Sequence, residues 1–160
     1  MKAKRRGFTL IEMLVVMAII AIVSMAVAPE ILNSLEVRSL ENSAREVLNS
    51  MERAKSQSVR TKLNHRVRFD NSLGHWRYLI ERETSPGTWE QMPRSVSKII
   101  PGGFVITVNL PDADSSVEFS SLGFIVNFEK DKNSIILQSE KLRQMNQPDL
   151  RSVVFFRGGS

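Results

Sequence analysis

The sequence predicts an α+β protein: one long N-terminal helix, membrane-spanning in its first half and amphipathic in its second, packed on an antiparallel β domain. Three observations predict it. Phe8 to Ala28 form a run of 21 positions with a single ionisable side chain, Glu12. From Glu30 to about Lys62, apolar residues recur at spacings of three and four. After Asn64 that period stops, and short alternating runs separated by turn residues take over. A chain of 160 residues has room for one globular domain plus one long helix, not for two full domains.

The apolar run comes first. As a helix it is about 31 Å long, enough to cross a hydrocarbon core of about 30 Å. The flank before it carries Lys2, Lys4, Arg5 and Arg6 and no acid, which places the N-terminus in the cytoplasm and everything after Ala28 on the far side. These four hold most of the formal charge of +5: the other 18 of the 22 basic residues face 17 acidic ones. The basicity is thus largely a topological signal and says little about the body of the protein. A cleavable secretory signal ending at Ala26-Val27-Ala28 is the rival reading. Against it stand the length of the apolar run, Pro29 just after the cut, and Glu12 within the run. A lone carboxylate inside a membrane helix costs roughly 2.5–3.5 kcal/mol near the centre. Nothing between Phe8 and Ala28 offers it an opposite charge, so its partner is expected from another chain or from processing.

The amphipathic half follows. Val37, Leu40, Ala44, Val47, Met51 and Ala54 form one stripe with Leu48 beside it, and Glu41 with Arg45 makes an i,i+4 pair on the flank. Pro29 removes a backbone donor and frees the carbonyl of Met25, which allows a kink or local melting. Strands are expected over Arg66–Asp70, His75–Glu83, Ile99–Leu110 (broken at Pro101-Gly102-Gly103), Val117–Phe119, Phe124–Phe128, Ser134–Ser139 and Ser152–Phe156. Turn signals lie between them, such as Ser85-Pro86-Gly87 and Asp131-Lys132-Asn133. The chain has no cysteine, so packing alone stabilises the fold.

Arg5-Arg6-Gly7-Phe8-Thr9-Leu10-Ile11-Glu12 resembles the signature of the type IV prepilin and type II secretion pseudopilin family. A short basic leader, a Gly–Phe junction, a glutamate four residues past the Phe and an apolar run all fall in register. The resemblance implies a pilin-like fold divided into a cleaved leader (1–7), a transmembrane and filament-core helix (8–28), an amphipathic periplasmic helix (29–63) and an antiparallel β domain (64–160). It also implies a prepilin peptidase cutting between Gly7 and Phe8 and methylating the new Phe8 amine. Glu12 then pairs with the Phe8 ammonium of a neighbouring subunit, and Pro29 is the helix kink. Implied partners are other pilin or pseudopilin subunits, the prepilin peptidase, an inner-membrane assembly platform and the lipid bilayer. Ala44-Arg45, Arg53-Ala54-Lys55-Ser56, Arg60 and Val117-Glu118-Phe119-Ser120-Ser121-Leu122-Gly123 are most similar to the H-type minor pseudopilins (the GspH/FimT group). A role in type II secretion is expected, with a type IV minor pilin for pilus initiation or DNA uptake as the alternative.

Candidate chemistry is sparse. His65 and His75 are the two histidines, neither at metal-ligand spacing with another, and both are expected at strand edges. Asp112, Asp114 and Glu118 lack the central glycine and ligand set of a calcium loop. Trp76, Tyr78 and Trp89 read as core or cross-strand aromatics. No nucleophile elbow or phosphate loop is present, so no enzyme activity, metal or cofactor is expected. Arg60, Lys62, Arg66 and Arg68, in an acid-free stretch from Arg53 to Arg68, read as a solvated helix end and strand face. Their alternative is a nucleic-acid patch, because some members of the group that the chain resembles bind DNA, although their Gly-Arg-x-Arg tail is not matched by Phe156-Arg157-Gly158-Gly159-Ser160.

Overall fold

The computed structural model of the chain describes residues 8–158. Leu10–Thr61 form one α-helix of 52 residues (α1), continuous through Pro29. Of the kink or local melting that Pro29 allows, no melting is seen. Two compact units divide between Glu36 and Val37, part-way along this helix.

In the first unit no residue from Phe8 to Leu32 is buried. An 18-residue window of this helix has a mean hydropathy of 2.7. A helix apolar all round and covered on no side is suited to lipid or to neighbouring chains.

In the second unit the expected stripe is the buried face of α1. Leu40, Val47, Met51 and Ala54 are buried, with Val37, Ala44 and Leu48 packed against the same core. Fully burying each leucine or valine of this kind contributes roughly 1.5–3 kcal/mol. Three serines share the face: Ser43 donates to the Ser39 carbonyl (2.9 Å), Ser50 to that of Glu46 (2.9 Å) and Ser58 to that of Lys55 (2.7 Å). Their hydroxyls are satisfied by the helix itself, so small polar residues are buried without a desolvation penalty. The helix ends where Lys62 adopts a left-handed φ of 59°, after Arg60 in the last turn complements the dipole.

Two antiparallel sheets receive this face, where the sequence suggested one undivided β domain. The first has the order β3-β2-β1-β6, from Thr88–Gln91, Arg77–Ser85, His65–Asp70 and Ser116–Phe119, with the two-residue β4 (Lys98–Ile99) pairing further along β2. The second has the order β5-β7-β8, from Phe104–Asn109, Ser134–Ser139 and Leu150–Val154. Val67, Phe69, Tyr78, Ile80, Val117 and Phe119 from the first sheet and Ile135, Leu137 and Val153 from the second join the helix stripe in one core. The burial of β1 alternates strictly, as expected of a strand with one solvated face.

Four differences from the sequence reading have local causes. Pro101-Gly102-Gly103 not only interrupts a strand but sends the chain from one sheet to the other. Phe124–Phe128 is not a strand: the Asn127 side chain accepts from the Glu118 N–H (3.3 Å) and donates to the Ser116 carbonyl (3.2 Å). A side-chain amide thus occupies ladder positions that backbone groups would fill. The Ser85-Pro86-Gly87 turn returns at once as β3, an unexpected strand. A short helix α2 (Glu140–Gln144) follows β7, with the Ser139 hydroxyl accepting from the Leu142 N–H at 3.4 Å and Leu142 fully buried.

Candidate functional site

The N-terminal segment holds the first set of predicted site residues. Gly7, with the basic flank Lys2–Arg6, lies outside the described residues. Phe8 is described and is 74 % exposed. Phe8 and Thr9 precede the helix, which starts at Leu10.

That start has a physical cause the sequence reading missed. Thr9 Oγ1 accepts from the Glu12 backbone N–H at 3.2 Å, and a Glu12 carboxylate oxygen accepts from the Thr9 N–H at 3.4 Å. The Thr9 carbonyl takes the first helical bond, from Met13 N–H at 3.2 Å. Together these form a capping box, Thr-x-x-Glu, legible in the sequence as Thr9-Leu10-Ile11-Glu12. Two otherwise orphaned donors are satisfied, and the carboxylate sits at the positive end of the helix dipole. The capping bond adds to the expectation for Glu12, which concerned an opposite charge. Glu12 has a hydrogen-bonding partner, though not an opposite charge.

The second set, the candidate nucleic-acid patch, does not form one surface. Arg60 lies on α1 and donates to Gln57 Oε1 at 2.9 Å, and Lys62 occupies the left-handed position after the helix. Arg66 and Arg68 lie on the outer face of the first sheet. Register places Glu81 directly opposite Arg66. Arg66 contacts Glu81 and Asp114, each at 2.6 Å, and Arg68 contacts Glu81 at 3.2 Å. The Arg66 guanidinium also lies 4.4 Å from the centre of the Trp89 ring, so Trp89 is an outer-face aromatic rather than a core one. Two of the four cations are thereby neutralised by acids that are distant in sequence.

Other singled-out residues fall into structural roles. His65 opens β1 and is 1 % exposed, whereas His75 is exposed in a turn. Burial lowers the His65 pKa below its usual value, against a smaller upward effect of the bond to the Leu63 carbonyl and with Arg82 adding to the lowering. Tyr78 is a core residue whose ring lies 5.8 Å from Phe69. Asp112 accepts from Asn127 and Asp114 pairs with Arg66. Burial, followed by repulsion from Glu83 and Asp112, raises the pKa of Glu118. Among the described residues no three His, Cys, Asp or Glu side chains come together as a metal-binding group.

Among the described glycines, Gly123 is the one held in place twice over. Its φ is +82°, and a Cβ there would lie 3.0 Å from Val59 Cγ2 and 3.6 Å from two Lys55 carbons. The segment Val117–Gly123 thus turns tightly against the helix, where a Cβ would be strained by the angle and would press on Val59.

Residues 2–28 match the prokaryotic N-terminal methylation motif. The matched segment contains Gly7, Phe8, Thr9 and Glu12, and the chain therefore carries a methylation-type N-terminus followed by an α+β body. Among solved structures, the minor pseudopilin EpsH from the type 2 secretion system of Vibrio cholerae is similar at 15 % identity and a TM-score of 0.46, covering 72 % of this chain and 97 % of that one. No curated protein sequence matches.

Proposed function

We propose that the chain is a minor pseudopilin of a type II protein secretion system. In this reading a prepilin peptidase removes residues 1–7 on the cytoplasmic side and methylates the Phe8 amine. Phe8–Ala28 anchors the chain once through the inner membrane, with the β domain in the periplasm. An inner-membrane assembly platform then adds the chain to other pseudopilin subunits in the pseudopilus, whose growth drives folded proteins outward. The role is structural, not catalytic.

One observation carries the reading: the methylation motif over residues 2–28 coincides with the start of α1, which as far as Leu32 is apolar on every side and covered on none. Glu12 then has a second use, pairing with a neighbour's Phe8 ammonium, which fixes the axial register of subunits in a medium where unpaired charge is costly. Pro29 leaves the Met25 carbonyl without its helical donor and so offers a point at which the helix bends in a filament.

The alternative is a type IV minor pilin for pilus initiation or DNA uptake. The ion pairs of Arg66 and Arg68 speak against the DNA-uptake part of it, because a phosphate track needs cations that are not already neutralised. Mass spectrometry of the chain extracted from membranes tests the assignment. The expected result is loss of Met1–Gly7 and one added methyl group on Phe8. An N-terminus at Pro29, or an uncut chain beside an active prepilin peptidase, overturns it.

A further inference from the structure

The segment between β3 and β4 leaves the edge of β2 and makes a groove against the C-terminal part of α1. Met92 N–H still bonds to the Ile80 carbonyl at 2.9 Å, but Pro93 has no N–H to continue the ladder. A turn closed by Ser95 N–H to the Met92 carbonyl (3.0 Å) follows, and the chain rejoins β2 at Lys98. A cavity of about 460 Å³ lies on one side of this turn and one of about 230 Å³ on the other, and Arg53 and Arg94 line both.

Three features of these walls point the same way. The first is charge. Arg53, Arg60, Arg82 and Arg94 line the larger cavity and Lys98 the smaller, and no acid lines either. The acids that reach these cations are Glu90, 3.6 Å from Arg82, and Glu46, 3.6 Å from Lys98. Among the described residues no carboxylate forms an ion pair with Arg53, Arg60 or Arg94.

The second is unmet hydrogen bonding. Tyr78 Oη, Arg82 Nε and Ser97 Oγ are the buried side-chain polar atoms without a partner among the described residues. Tyr78 lines the smaller cavity, Arg82 lines the larger, and Ser97 belongs to the segment that bounds them. Tyr78 is 3 % exposed, and Ser50, which gives its proton to the Glu46 carbonyl, lies beside its hydroxyl together with the Glu46 carboxylate. Burial, opposed by a smaller downward effect of Ser50 and reinforced by the Glu46 carboxylate, pushes the Tyr78 hydroxyl up to about 12. Arg82 Nε is therefore a donor in want of an acceptor, whereas the Tyr78 hydroxyl already has the Glu46 carboxylate near it.

The third is strain. Pro93 and Arg94 occupy the two central positions of the turn, and Arg94 has a φ of 62°, where glycine or asparagine is the relaxed choice. An arginine held in that conformation, as Lys62, Ser115 and Asn146 also are elsewhere, costs stability, and here it puts the side chain at the wall common to both cavities.

We propose that this groove binds an acidic, extended peptide segment of a partner polypeptide, its carboxylates taken by Arg53, Arg82 and Arg94. Guanidinium forks match carboxylates in geometry, and a carboxylate supplies the acceptor that Arg82 Nε lacks. A peptide fits better than a free oxyanion on two counts. The two cavities share walls and together far exceed one small ion, and Met92 and Pro93 give the larger cavity an apolar surface that an inorganic ion does not use. The proposal is independent of the pseudopilin assignment, since none of Phe8, Glu12 or Pro29 enters it.

The test is a fluorescence-anisotropy titration of the full chain in detergent micelles with a labelled, acetylated hexaglutamate peptide. Hexaglutamine, inorganic phosphate and a short DNA duplex are run in parallel. Hexaglutamate is expected to bind, hexaglutamine not, and phosphate and duplex at least tenfold more weakly. Arg53→Gln, at an exposed helix position, and Arg94→Gly, which relieves the turn, are each expected to keep or raise the melting temperature while weakening hexaglutamate tenfold or more. Lys130→Gln/Lys132→Gln, removing two charges elsewhere, is expected to leave affinity within twofold. The His65 ring resonance is expected to move on saturation with the peptide, its pKa rising as carboxylates approach among Arg53, Arg60 and Arg82. Failure of hexaglutamate to bind, equal binding of hexaglutamine, equal loss in the Lys130/Lys132 variant, or tighter binding of phosphate or duplex each overturns the proposal.

Discussion

Two roles compete for Glu12, and two substitutions separate them. Thr9→Ala removes the hydroxyl that caps the helix but leaves the Glu12 carboxylate in place. Glu12→Leu removes the carboxylate. Capping bonds of this kind are typically worth about 1 kcal/mol. Those of Thr9 and Glu12, at 3.2 and 3.4 Å, are long, so about 0.5 kcal/mol is the appropriate figure, a factor of roughly two in any equilibrium. A neighbour's ammonium left unpaired in a desolvated helix bundle costs about 3–5 kcal/mol, more than roughly a hundredfold. Glu12→Leu also lifts the insertion penalty, so the membrane pool stays level or rises. The assay is the fraction of each variant recovered in sheared filaments relative to its membrane pool, in a host with the assembly machinery. Thr9→Ala is expected to keep at least half of wild-type incorporation and Glu12→Leu to be nearly absent. If Thr9→Ala falls as far as Glu12→Leu, capping is the whole role of the carboxylate. If Glu12→Leu co-assembles at the wild-type level, neither role matters for the filament.

Gly123→Ala is expected to destabilise the second unit by about 2 kcal/mol, roughly half from the left-handed φ and half from the Val59 contact, seen as a melting temperature lower by about 5 °C. Adding Val59→Ala is expected to restore about half; a single variant that melts like wild type refutes the argument. For His65, the folded-state pKa lies below the usual 6.5, so the unfolded chain takes up the proton first. Its contribution to stability is full above about pH 6.5 and is lost as pH falls through that value towards the folded pKa. Urea unfolding at pH 7.5 and 5.5 is expected to show a loss of stability at the lower pH that shrinks in His65→Gln; an unchanged difference refutes it.

Periodicity carried most of the fold. The stripe from Val37 to Ala54 was legible because burial along a helix repeats every three or four residues. The β1 alternation was legible because a strand with one wet face repeats every two. What escaped depends on contacts that have no period. Asn127 replaces a backbone partner through its side chain, so the pairing of Phe124–Phe128 stops at the single bridge between Phe119 and Ile125. The division into two sheets turns on Pro101-Gly102-Gly103, which reads as a break of either kind. At the site, the Gly7-Phe8-Glu12 spacing was legible and its capping role was overlooked, although Thr9-x-x-Glu12 announces it. The neutralisation of Arg66 and Arg68 was out of reach, because Glu81 meets them only through the register of β1 with β2. The groove around Arg94 was equally hidden, since it depends on where Pro93 breaks a ladder.

The buried face of α1 owes its placement as much to what is missing from it as to what fills it. Ser43, Ser50, Ala54 and Ser58 are buried on the helix, and Gly123 meets it at Val59 and Lys55 from the other side. Each contributes almost no volume, and together they act as a spacer of minimal thickness that lets backbone approach backbone. The consequence is an asymmetry in what the body of the protein tolerates. Trimming a large core residue leaves a void that neighbours partly fill, whereas a methylene added along this seam has to displace the helix or whatever packs on it there. The small residues therefore define the permitted distance, and the large ones occupy whatever room that distance leaves.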